Sequence, residues 1–80
     1  MEEILRFQVN IFKWAIYSIL ASEAASLGYL MKTLRDYHAG LSIETVQTAI
    51  LLAIEELIKQ GFIQEVESNT GNFGKAYKRV

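Results

Sequence analysis

The chain has 80 residues, of which 51% are hydrophobic and 21% charged, and its net charge is −1. This length predicts one domain, residues 1–80, with a modest core, and excludes a second domain. The absence of cysteine excludes a disulfide framework and a thiolate metal site. The acidic N-terminus lacks a secretory pattern and no apolar run spans a bilayer, so we expect a cytoplasmic, intracellular protein without a membrane partner.

The first predicted element is a helix from about Ile11 to Ala21. Phe12, Ile16 and Ile19 recur at helical spacing and are expected to form its buried stripe. Residues 5–11 alternate apolar and polar side chains, which is typical of a strand and leaves two possible conformations for residues 3–9. They therefore either extend the helix or form an extended segment.

Three aromatic residues of this N-terminal region, Phe7, Trp14 and Tyr17, fall outside that stripe. Apolar surface that a small core cannot cover is typical of an association surface. We expect these three side chains to form the interface of a homodimer. The alternative is that Trp14 covers the core of its own chain.

A second helix is predicted from Leu27 to about Tyr37, with Ser26 as its N-cap. Lys32 and Arg35 lie on its polar side, where they either contact DNA phosphates or remain solvated charges. The side predicted to be buried consists of Leu27, Leu30, Met31 and Leu34. A short connection containing Gly40 leads to the next helix, so the two helices form a helix-turn-helix.

The third helix is predicted to begin at Ile43 after the N-cap Ser42, and to end before Gly61. Its buried stripe is predicted to consist of Val46, Ile50, Ala53, Ile54 and Leu57. Glu55 and Glu56 are expected to lie on a solvated face.

The exposed N-terminal half of this third helix suits contact with bases. Gln47 can make a bidentate contact to adenine, and Thr45 or Thr48 can bond phosphate or touch a thymine methyl group. Glu44 can accept a hydrogen bond from cytosine, although its favourable position at the helix N-terminus explains it without DNA.

Residues 62–67 and 73–80 are predicted to form two strands joined by turn-forming residues 68–72. The returning strand carries Lys75, Lys78 and Arg79 and no acid. We expect these three cations to hold the DNA backbone, because phosphate contacts depend on local charge. The alternative is a basic C-terminal end without a role in binding.

Three segments carry a likeness to known proteins: Leu27-Gly28-Tyr29-Leu30 with Leu34, Leu57 to Ile63, and Lys75-Ala76-Tyr77-Lys78. From Gly28 onwards the sequence resembles the winged-helix transcription regulators, and among them most nearly the PadR-like group. The resemblance implies a recognition helix in the third position and a wing formed by the two strands.

The sequence as a whole predicts an α+β winged helix-turn-helix, with three helices followed by a two-stranded β-hairpin wing. The expected function is sequence-specific binding of duplex DNA by a homodimer that regulates transcription. The alternative is a winged-helix protein–protein interaction module without DNA binding, which five carboxylates between positions 41 and 67 favour. No residues suggest catalysis, so we expect no enzyme activity, no cofactor and no metal.

Overall fold

The computed structural model describes residues 2–36, 40–67 and 75–80. The helices are α1 (Glu2–Ile19), α2 (Leu27–Leu34) and α3 (Ile43–Lys59), and the strands are β1 (Ala25–Ser26), β2 (Ile63–Glu67) and β3 (Lys75–Arg79). The strands form one antiparallel sheet in the order β1-β3-β2. The predicted α+β class with three helices is confirmed, but the sheet has three strands rather than the predicted two.

Helix α1 begins at Glu2, so residues 3–9 belong to it and the extended alternative is wrong. The alternation of apolar and polar residues at positions 5–11 arises because α1 is apolar on two opposite faces. Residues two positions apart lie about 200° apart around a helix, so two opposed apolar faces reproduce the pattern of a strand. Val9 is buried, whereas Phe7 and Ile11 are exposed on the other face.

Helices α1 and α2 both end earlier than predicted. Helix α1 stops at Ile19 rather than Ala21, because the chain must leave the helix to reach β1. Helix α2 stops at Leu34, and residues 35–36 form a turn. Its predicted end, Tyr37, lies outside the described residues, as does the adjoining part of the predicted connection at 38–39.

Helix α3 has the predicted boundaries at both ends. The Ser42 hydroxyl accepts a backbone N–H of the first turn at 3.1 Å. Gly61 has a φ of +81°. Its N–H donates to the Ile58 carbonyl at 3.0 Å, and the Phe62 N–H donates to the Leu57 carbonyl at 3.0 Å. This pattern is the Schellman motif, which satisfies the last helical carbonyls and requires a left-handed residue that glycine supplies without a Cβ penalty.

Strand β1 is the strand missing from the prediction. It pairs with β3 through Ala25 opposite Tyr77 and Ser26 opposite Ala76. Two residues carry no detectable periodicity, and their partner lies near the other end of the chain. Ser26 is also the predicted N-cap of α2, where its hydroxyl accepts the Tyr29 N–H at 3.1 Å. The same residue therefore starts α2 and joins that helix to the sheet.

Strands β2 and β3 pair antiparallel from Ile63 opposite Arg79 to Glu67 opposite Lys75. This pairing confirms the two predicted strands. The predicted turn, with Phe73 and Gly74 after it, falls in residues 68–74, which lie outside the described residues.

The core lies where the three helices meet the sheet, and α1 packs mainly on α3. The five residues of the predicted α3 stripe are all buried, as are Phe12 and Ile16 of α1. Tyr77 brings β3 into the same core. Burial, with a smaller contribution from the nearby Glu65 carboxylate, raises the pKa of Tyr77 above its usual range, so the phenol is neutral at pH 7.

Candidate nucleic-acid interface

The residues predicted to read bases lie in the first two turns of α3. The Gln47 side chain is exposed and makes no hydrogen bond to another described residue. Thr45 is half-buried, and its hydroxyl lies 2.8 Å from that of Ser42. Thr48 is exposed, but its hydroxyl donates to the Glu44 carbonyl at 2.9 Å. Of these three predicted residues, Gln47 is the one whose full hydrogen-bonding capacity is open to a ligand.

An open hollow of about 380 Å³ lies between α2 and α3. Lys32 and Arg35 line it from α2, and Gln47 lines it from α3. Its apolar lining includes Met31, Ile43, Val46 and Ile50. The structure thus brings two of the predicted backbone-contacting cations next to the open amide of α3.

Strand geometry separates the three basic residues of β3. Side chains alternate between the two faces of a strand, so Lys75 and Arg79 share the face of buried Tyr77, whereas Lys78 lies on the opposite face. The Lys75 ammonium lies 3.9 Å from a Glu65 carboxylate oxygen, and both side chains are largely exposed. The three cations predicted to act together therefore do not form a single cluster.

Arg79 holds β3 against α1. Its Nε donates to the Tyr17 carbonyl at 2.8 Å, and its guanidinium carbon lies 3.6 Å from the centre of the Tyr17 ring. The Phe62 ring packs edge-on against the same ring, with 5.8 Å between centroids. These contacts engage Arg79 and Tyr17 within the chain. The assignment of Arg79 to the DNA backbone and that of Tyr17 to a dimer interface stay predictions. In each role the side chain would have to act while it keeps its contacts within the chain.

Glu56 joins α3 to α1. Its carboxylate lies 2.5 Å from the Arg6 guanidinium and 3.4 Å from the Lys13 ammonium, and its side chain is one quarter exposed. The hydrogen bond from Arg6 is the main cause that lowers the pKa of Glu56; partial burial opposes it and Lys13 adds to it. The expectation of a solvated face is therefore wrong for Glu56, although Glu55 is exposed. Sequence reasoning missed this site because its members lie on different helices.

The exposed face of α1 carries two of the three predicted interface residues. Phe7 and Trp14 are 66% and 75% exposed, so the alternative in which Trp14 covers its own core is wrong. Ile4 and Ile11 are exposed beside them, and sequence reasoning assigned neither of them to the interface. The spacing of three, four and three residues through Ile4, Phe7, Ile11 and Trp14 was the signal that could have identified them.

Comparison of the chain with protein-family models, with curated proteins and with solved structures gives no match. Within residues 2–36, 40–67 and 75–80, no group of three or more metal-binding side chains is placed to hold an ion. No helix in this described part of the chain is long and apolar enough to cross a membrane. An assignment of function therefore rests on the geometry and charge of the faces described above.

Proposed function

We propose that this chain is a winged-helix protein that binds duplex DNA with α3 in the major groove and regulates transcription by occupying promoter DNA. The observation that carries the proposal is the hollow that Lys32, Arg35 and Gln47 line together. Two cations that hold phosphates beside an amide that reads a base edge are the division of roles that sequence-specific binding requires. Such a role implies an intracellular location.

The order of elements supports this proposal. Helices α2 and α3 follow one another across a short connection, as in a helix-turn-helix. Strands β2 and β3 come next and supply a hairpin, as a wing requires. The pairing of β3 with β1, immediately before α2, holds that hairpin beside the helices. Three helices followed by a hairpin are the order that the resemblance to winged-helix regulators implies.

The remaining predicted residues contribute to DNA binding to different extents in the proposal. Thr48 offers its methyl group and its oxygen lone pairs from the exposed face of α3, and Thr45 does so from a half-buried position. Lys78 contacts the DNA backbone from the wing. Lys75 does so by exchanging Glu65 for phosphate, which costs little because the ion pair is exposed. Arg79 contributes chiefly by fixing β3 on α1.

The competing function is protein binding through the acidic face of α3 and the apolar face of α1, and its acidic part has less support. Of the five carboxylates that motivate it, Glu56 is paired with Arg6 and Lys13, and Glu65 lies 3.9 Å from the Lys75 ammonium. The pairing of Glu56 reduces the negative charge available to a basic partner, whereas the exposed contact of Glu65 reduces it little. DNA binding is therefore the better supported function.

A salt titration of DNA binding tests the proposal, with fluorescence anisotropy on random duplexes and genomic fragments. The affinity should fall linearly on a log–log plot against salt, because binding releases condensed counterions. The double variant Lys32→Ala, Arg35→Ala should reduce the magnitude of the slope by about 2, since each lost phosphate contact removes about 0.9.

Lys59→Ala is the matched control, because Lys59 is an exposed cation in the last turn of α3, far from the hollow. This variant should leave the slope unchanged, and circular dichroism should show all variants folded. No binding by the intact protein at low salt contradicts DNA binding. An equal loss in the control contradicts the assignment to the hollow between α2 and α3.

A further inference from the structure

Helix α1 has a second apolar face that its own chain does not cover. Ile4, Phe7, Ile11 and Trp14 are 54%, 66%, 42% and 75% exposed, on the side opposite the core. Their spacing is that of the a and d positions of two heptads. A helix that is apolar on opposite sides needs cover on both. We propose that this face, the α1 seam (Ile4, Phe7, Ile11 and Trp14), pairs antiparallel with the same seam of a second copy of the chain.

The two cations of α1 are directed away from the seam. The cations of this helix, Arg6 and Lys13, both form ion pairs with Glu56 of α3. The four seam residues are uncharged, Ser18 continues the seam, and Asn10 and Glu3 flank it. An uncharged apolar strip meets little desolvation cost when a second strip covers it. The ion pairs with Glu56 therefore stabilise the contact with α3 and also hold these two cations away from the seam.

The exposed area is sufficient for a specific dimer. Large side chains present on the order of 150–250 Å² each when fully exposed, so the four seam residues present roughly 450 Å² per chain. Two copies then bury roughly 900 Å² from the seam alone, which is close to the roughly 1,000 Å² that a specific interface requires before flanking residues are counted. In a monomer, this apolar area of α1 would remain exposed to water.

The surface beside the seam also has recesses that could receive side chains of a second copy. A hollow of about 300 Å³ lies against Trp14, lined in part by Tyr17, Leu57 and Phe62. A second hollow of about 360 Å³ lies against Ile11. The first hollow borders the seam on the side of α3 and the second on the side of α2, so recesses flank the projecting seam residues, as an isologous contact between identical surfaces can use. Large side chains of one copy can enter the recesses of the other as knobs into holes.

The order of the four residues favours the antiparallel direction. In an antiparallel pair whose two-fold axis passes at the level of Val9, Ile4 lies opposite the partner's Trp14, and Phe7 lies opposite the partner's Ile11. Each layer of the interface then holds one isoleucine and one aromatic ring. In a parallel pair, each aromatic ring would lie opposite the same ring and each isoleucine opposite the same isoleucine. Layers of two rings are wider than layers of two isoleucines, so the two kinds of layer need different distances between the helices. It would also bring the two Glu3 side chains together, whereas antiparallel pairing separates them by roughly 18 Å along the axis.

Sedimentation in the absence of DNA tests the pairing separately from the proposed function. The intact chain should sediment as a dimer, and Trp14→Glu should give a folded monomer, because an exposed charge is solvated once the partner leaves. Ile58→Glu is the control, since Ile58 is an exposed apolar residue of α3 outside the seam, and it should remain a dimer. A monomeric intact chain overturns the proposal. So does a dimeric or unfolded Trp14→Glu variant, while Phe7→Glu repeats the test at a second seam position.

Cross-linking tests the direction, and the absence of native cysteine makes introduced thiols unambiguous. A mixture of Phe7→Cys and Ile11→Cys chains should form the mixed disulfide dimer under mild oxidation, as mass spectrometry can show. Phe7→Cys alone should not cross-link. Cross-linking by Phe7→Cys alone, or its absence in the mixture, overturns the antiparallel arrangement.

Discussion

Gln47 differs from the other polar residues at the start of α3 because its whole amide is open. Thr45 and Thr48 hydroxyls interact with Ser42 and with the Glu44 carbonyl, so their free capacity is mainly as acceptors and through their methyl groups. Gln47 can instead donate and accept at once, which is the combination that adenine presents in the major groove. At the residue scale, sequence discrimination should therefore depend mainly on Gln47.

We predict that Gln47→Ala reduces discrimination at one base position by about 1–3 kcal/mol and leaves binding to random DNA nearly unchanged. The reason is that base contacts specify whereas phosphate contacts position. Competition assays with a selected site and its single-base variants measure the effect. Gln60→Ala, at the opposite end of α3, is the control and should leave discrimination intact. Equal losses on specific and random DNA would show that Gln47 does not read sequence.

At the scale of elements, the contact between α1 and α3 combines apolar packing with a charged site. Glu56 of α3 faces Arg6 and Lys13, which are seven residues apart on α1 and therefore lie two turns apart on one side of that helix. One carboxylate thus holds two cations from successive parts of the same helix. The site fixes how α1 lies along α3, and it also determines which face of α1 is left for other contacts.

We predict that Glu56→Gln lowers the free energy of unfolding by at most about 1 kcal/mol at pH 7, because partly exposed ion pairs contribute little. Urea denaturation measures the change. The pKa of Glu56 is lowered in the folded state, so its contribution is fully present above the ordinary value of 4.5 and is lost as the pH falls through the folded-state pKa. The difference between the two proteins should therefore shrink as the medium becomes acidic.

Glu55→Gln is the matched control, because Glu55 is the exposed neighbour on the same helix. It should change stability little at any pH. A difference for Glu56→Gln that persisted unchanged at low pH would assign its effect to packing rather than to charge.

At the scale of the whole molecule, the proposed DNA contact and the proposed α1 pairing together determine the shape of the binding site. A two-fold dimer presents two copies of α3, and such pairs bind half-sites about one DNA turn, roughly 34 Å, apart. We therefore predict an inverted repeat as the preferred site. Inserting about five base pairs between its halves should weaken binding strongly, because the second half then faces away from the protein. Gel-shift titration measures this loss.

The folded monomer expected from Trp14→Glu supplies the control for this prediction. It should bind a half-site, and its affinity for the inverted repeat should not depend on the separation of the halves. Affinity of the intact protein that is unaffected by the insertion would show that the two copies of α3 do not act together.

The sequence by itself determined the features that depend on near neighbours. Ser26 and Ser42 cap their helices as predicted, and Gly61 ends α3 in the left-handed conformation. The α3 stripe and the strands β2 and β3 also lie where their periodicity indicates. Each of these depends on side chains within one or two turns or on the alternation of a strand, and both leave a local pattern that can be read.

Only the tertiary structure decided the contacts between distant positions. The Arg6–Glu56, Lys13–Glu56 and Arg79–Tyr17 contacts join residues 50, 43 and 62 positions apart. Packing against α3 also decided which apolar face of α1 is buried, and the pairing of β1 with β3 supplied the third strand. Local patterns cannot record these outcomes, because a charge, a short strand or an apolar face has the same sequence whether its partner is solvent or a segment brought near by folding.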